Sequence, residues 1–108
     1  MKTEGQQQSQ KQEKKLAAQL DGQRSAGSGC FWSRKSDVRS AKWTVEAKWT
    51  GNKKSFSVTK LMLDTVERDA IKDSRTPLLV FNLGGRDYYV LHENDFIEIA
   101  ERAGMLGD

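Results

Sequence analysis

Apolar and polar residues alternate most cleanly over residues 43–50, Trp43-Thr44-Val45-Glu46-Ala47-Lys48-Trp49-Thr50. A period of two is that of a β-strand, whose successive side chains point to opposite faces. Trp43, Val45, Ala47 and Trp49 therefore share a face that must meet a core, while Glu46 and Lys48 project together from the other. Helical spacing governs two further stretches. Leu16, Ala17 and Leu20 line one side of a helix over residues 13–20, and Asp21-Gly22 is its stop, because glycine takes the left-handed cap without strain. Val58, Leu61, Met62, Thr65, Val66 and Ala70 mark a second amphipathic helix over residues 57–72. Arg24 to Gly29 is a small-residue loop.

Pro77 introduces a nearly all-apolar strand from Leu78 to Leu83, of the kind covered on both faces. Gly84-Gly85 fits a tight hairpin, from which Tyr88-Tyr89-Val90-Leu91 returns antiparallel. A last short helix begins at Glu93 or Asn94, with Phe96, Ile97 and Ala100 expected to pack inward. The order is helix, one or two strands, helix, strands, helix. It predicts a single α/β domain with a central mixed β-sheet flanked by helices, as the length of 108 residues allows.

Composition narrows the chemistry. Residues 1–12 are polar and nearly without apolar side chains, and read as a flexible basic arm ahead of a domain over residues 13–108. Neither a transmembrane run nor the apolar core of a secretory signal is expected. Cys30 is the single cysteine, which rules out an internal disulfide and suits a cytoplasmic setting. With His92 the single histidine, a zinc centre of Cys and His is excluded, and any metal must be held by carboxylates. Residues 1–60 carry thirteen basic against five acidic side chains, and residues 61–108 five against ten. A basic half facing a polyanion explains this asymmetry, and so does a basic tail that merely aids solubility.

Hydrolysis of a phosphodiester needs a positioned water and stabilisation of charge on phosphate oxygens, which carboxylate-held magnesium supplies. Glu46 and Lys48, two apart on one strand, provide a carboxylate and an ammonium side by side, and Asp37 precedes them by about a hairpin length. A plain ion pair on a strand face has the same spacing, so Asp37…Glu46-x-Lys48 is suggestive only in company.

That company is present. Glu13 stands in a first helix with Leu16, Ala17 and Leu20; Arg24-Ser-Ala-Gly-Ser28-Gly29, Ser36-Asp37-Val38 and Val45-Glu46-Ala47-Lys48 follow. Then come the helix over residues 57–72, Thr76-Pro77-Leu78-Leu79-Val80-Phe81 and a hairpin partner ending near Leu91. In this order, over roughly residues 13–97, the chain resembles the archaeal-type Holliday junction resolvases and their bacteriophage relatives in the PD-(D/E)XK nuclease superfamily. The resemblance implies a restriction-endonuclease-like core that cuts four-way DNA junctions as a homodimer, using magnesium (manganese substituting), with no small-molecule substrate. It further implies Asp37 and Glu46 as metal ligands with the Ala47 carbonyl, Lys48 positioning the attacking water, and Glu13 reaching the same metal. Ser28 would lie near the scissile phosphate and Arg24 against the DNA backbone. Two departures stand: Ser36 replaces the proline of the motif, and the link from the first helix to Arg24 is shorter than in archaeal members.

Other DNA contacts are expected from Trp32 beside Arg34 and Lys35, and from Lys53, Lys54 and Lys60 after the alternating strand, where a solvated basic loop reads equally well. Trp43 and Trp49 lie on the apolar strand face and read as core or dimer packing. His92 reads as a surface residue at a strand end. The rival readings are a nickase or flap or repair nuclease with the same centre, a non-catalytic DNA-binding module, and a structural protein.

Overall fold

A computed structural model of the chain describes residues 4–20, 22–24, 38–51 and 53–107, with Glu4 and residues 22–24 described as backbone alone. Eight elements follow in order: α1 (Glu4–Gln19), β1 (Gly22–Arg24), β2 (Val38–Ser40), β3 (Trp43–Trp49), α2 (Lys60–Lys72), β4 (Thr76–Leu83), β5 (Arg86–Val90) and α3 (Glu93–Arg102). The strands form one mixed sheet in the order β1-β2-β3-β4-β5. The first three make an antiparallel meander, α2 carries the chain back so that β4 runs parallel to β3, and β5 closes as a hairpin. Parallel neighbours need such a crossover, and a helix on the sheet is its usual form. The expected single α/β domain with a mixed sheet flanked by helices is what the chain adopts.

One face of the sheet is sealed by α1. Leu16 has no exposed surface and packs with Val38, Val45, Leu78 and Val80, and Ala17, Leu20, Trp43, Ala47 and Leu91 surround that cluster. The other face meets α2, whose Val66 and Ala70 are buried, as is Leu79 of β4. The ion pair between Arg39 of β2 and Asp73 at the end of α2 closes this side. Because β3 is the middle strand, both of its faces are covered, so Thr44 is as fully buried as Val45. Alternation read along the chain pointed to a strand with one covered face. It does not report which helix crosses over the polar side.

Several boundaries differ from the sequence expectations. α1 begins at Glu4 rather than Glu13, so residues 4–12, read from the sequence as an arm, continue the helix. The reason is visible at Gln12, 5% exposed, whose amide donates to the Lys48 carbonyl oxygen (3.0 Å) and to Asp87 Oδ1 (3.2 Å). A polar helix is thus held by polar anchors rather than by a longer apolar stripe. Arg24, placed in a loop from the sequence, ends β1 instead, its backbone paired with Val38. α2 starts at Lys60, not at residue 57, because Thr59 caps it by accepting a hydrogen bond from the Met62 amide (3.2 Å).

The Gly84-Gly85 hairpin forms as expected, with φ of 61° and 81°, a left-handed pair that glycine adopts without a Cβ penalty. His92 is more than a surface residue: its Nδ1 accepts from the Asn94 amide (3.1 Å) and caps α3. α3 itself corrects an expectation. Ala100 is buried, but Phe96 and Ile97 are 54% and 40% exposed, because the helix follows the edge strand β5 and no further layer lies over it among the described residues. No helix among the described residues is long and apolar enough to cross a membrane.

Candidate active site

β3 presents Glu46 and Lys48 on the face toward α2, and the two side chains form an ion pair of 2.9 Å. Their backbone setting is distinctive. β2 pairs with β3 only at Val38↔Val45 and Arg39↔Thr44, whereas β4 accompanies β3 along its whole length from Trp43 to Trp49. From Glu46 onward the described partner of β3 is β4, and the residue that continues the β2 register opposite Glu46, Asp37, lies outside the described residues.

The Glu46 side chain is 17% exposed and that of Lys48 36%. Register sets Glu46 beside the fully buried Leu79. Burial raises the Glu46 carboxyl above its ordinary value, the hydrogen bond and charge of Lys48 pull it down, and the negative charges of Asp69 and Glu13 push it up again. The balance is upward, because loss of hydration in this setting outweighs one partly exposed ammonium group. A raised carboxylate with further acidic groups in electrostatic reach is a place that a cation would relieve.

Glu13 sits on the flank of the buried stripe of α1, half-buried, three residues before Leu16. Asp69 was not singled out from the sequence, although it carried a signal. It stands three residues after Val66 and one before Ala70, so it shares the side of α2 that meets the sheet. Gln12 was missed as well: its amide holds the carbonyl of Lys48 and so steadies the backbone that carries the pair. No spacing rule flags a glutamine of this kind.

The remaining candidates are distributed as follows. Ala47 lies half-buried in β3 between Glu46 and Lys48. Lys53 and Lys54 are exposed just beyond β3, and Lys60 opens α2 with its ammonium on Asp64 (2.6 Å). Asp37, Ser28, Trp32, Arg34 and Lys35 lie outside the described residues, and Arg24 is described as backbone alone. Among the described residues no three His, Cys, Asp or Glu side chains are grouped closely enough to hold a metal ion. Trp43 packs against the core cluster as the sequence suggested, but Trp49 stands apart from that cluster, half-buried at the end of β3.

No protein-family model matches this chain, and neither the curated proteins nor the solved structures compared with it gave a match.

Proposed function

We propose that this chain is a magnesium-dependent DNA endonuclease that hydrolyses phosphodiesters at four-way junctions. The observation that carries the reading is the pairing of a desolvated carboxylate, Glu46, with Lys48 on one face of the central strand. The element order agrees with what the resemblance implied for a mixed sheet flanked by helices.

Asp37 fits as the companion ligand through connectivity. It directly precedes Val38, the register partner of Val45, which in turn precedes Glu46. Glu46, Asp37 and the Ala47 carbonyl form a set of hard oxygen donors, the chemistry that magnesium favours. Glu13 adds negative charge felt at Glu46 and is assigned a supporting role. When bound, the cation lowers the pKa of a water and neutralises charge on the phosphate. Lys48, its ammonium held at the Glu46 carboxylate, would orient the attacking water and offset charge on the phosphate. Ser28 and Arg24 are assigned to the scissile phosphate and the neighbouring DNA backbone.

A homodimer in the cytoplasm completes the proposal, since paired nicks across a branched substrate require two centres related by a twofold axis. Phe96, Ile97, Ile99, Met105 and Leu106 form an exposed apolar surface on and after α3. Two such helices laid antiparallel would bring Arg102 in the last turn of one against Glu93 and Asp95 in the first turn of the other.

A second reading, a non-catalytic DNA-binding module, is favoured by the closed Glu46–Lys48 pair, which is already a satisfied ion pair. Glu46→Gln separates the two. Incubated with magnesium and four-way, flap, single-stranded and linear duplex DNA, the wild type is expected to cut the junction best. Glu46→Gln is expected to bind that junction unchanged and not to cut it. Cleavage retained by the variant overturns the assignment, and a wild type that binds without cutting establishes the module.

A further inference from the structure

Beyond the Glu46–Lys48 pair, at the C-terminal end of β3, lies a cavity of about 500 Å³. Its walls include Trp49, Lys53, Lys54, Leu83 and the hairpin glycines Gly84 and Gly85. The volume falls within the roughly 300–1,000 Å³ usual for small-ligand sites. We propose that this cavity holds one unpaired nucleotide of a DNA strand, with its base on the Trp49 indole and its phosphate between Lys53 and Lys54.

The lining carries the assignment. Trp43 and Trp49 alternate onto the same strand face, yet Trp43 packs on the core and Trp49 faces this cavity. An indole kept half-open beside the apolar Leu83 is a stacking surface, and stacking accepts any base because every base has a π face. Lys53 and Lys54 are exposed and have no acidic partner among the described residues, so their charge is available to a phosphate. At Gly84 and Gly85 an added Cβ would meet nothing within 4 Å, so the hairpin leaves the cavity open from its side. Outside the cavity, Phe56 stacks on Phe81 at 4.8 Å and ties down the segment that follows the two lysines. The cavity lies at the end of β3 that carries Lys48, with Trp49 directly following that residue in the strand.

This inference rests on DNA being the ligand class but not on the hydrolytic chemistry, and its test is read without magnesium or cleavage. Its failure therefore leaves the Glu46→Gln experiment standing, and the reverse holds equally. Binding of a labelled oligothymidine octamer to the full chain is followed by fluorescence anisotropy, beside a fully abasic strand of the same length. The wild type is expected to prefer the base-bearing strand about 10-fold, within the range that one stacked base supplies. Trp49→Ala removes that preference and leaves the abasic strand's affinity unchanged, while Trp49→Phe keeps most of it.

The exposed pair Lys53→Ala with Lys54→Ala weakens both strands and flattens their salt dependence. Free thymidine monophosphate competes only weakly. A wild type that binds both strands equally overturns the proposal. So does a Trp49→Ala chain that loses both strands alike or neither, and so does a mononucleotide that competes as well as the strand.

Discussion

The two faces of β3 are closed by different means. Toward α1, Val45 meets Leu16, Leu78 and Val80 in a cluster with almost no exposed surface. Toward α2, the same strand buries the Thr44 hydroxyl without a hydrogen-bond partner among the described residues and keeps the Glu46 carboxylate largely out of water. One face lowers free energy by removing apolar surface from solvent. The other gives some of that up, because desolvated polar groups are costly unless fully paired. The proposed site lies on this less comfortable side of the sheet. The α1 side is what holds it in place.

Removing the comfortable side should do the most damage. Leu16→Ala is expected to cost about 2–5 kcal/mol, the range for deleting a fully buried leucine from a well-packed core. Denaturant unfolding measures it, and a loss under about 1 kcal/mol would show that α1 does not anchor the sheet. The next effect concerns the polar anchors of the same helix. Asp87 accepts from Asn82 (3.0 Å), Lys15 (3.0 Å) and Gln12 (3.2 Å). Burial works against its charged form, but these hydrogen bonds outweigh it and hold the carboxyl below its ordinary value.

A carboxylate lowered in this way contributes stability above its unfolded value and loses that contribution as pH falls through the folded one. Asp87→Asn is therefore expected to cost about 1–2 kcal/mol near neutral pH. The gap between variant and wild type should narrow as the pH drops below the ordinary carboxylate range. Unfolding curves taken from neutral to acid pH check this, and a gap that stays constant would remove Asp87 as the cause.

The smallest effect is expected on the site face. Thr44→Val replaces an unpartnered buried hydroxyl with a methyl of the same shape, so stability should be unchanged or rise by up to about 1 kcal/mol. A clear loss of stability would mean that the hydroxyl is bonded after all and that the contrast between the faces is weaker than drawn.

How far the sequence went is clearest at β3. The alternation over residues 43–50 was enough to set Glu46 and Lys48 on one face, because side-chain direction in a strand is a local property of the backbone. The Gly84-Gly85 hairpin, the buried side of α1 at Leu16 and the core role of Trp43 were legible for the same reason. Other features depend on which distant segment comes to lie where. These include the start of α1 at Glu4, fixed by Gln12 on Lys48 and Asp87, and the covering of the polar face by α2. They also include the arrival of Asp69 within reach of Glu46, the exposure of Phe96 and Ile97, and the separation of Trp49 from Trp43. Periodicity states what each side chain faces along its own element. What stands opposite it is decided by the crossover and the register, through contacts between residues tens of positions apart.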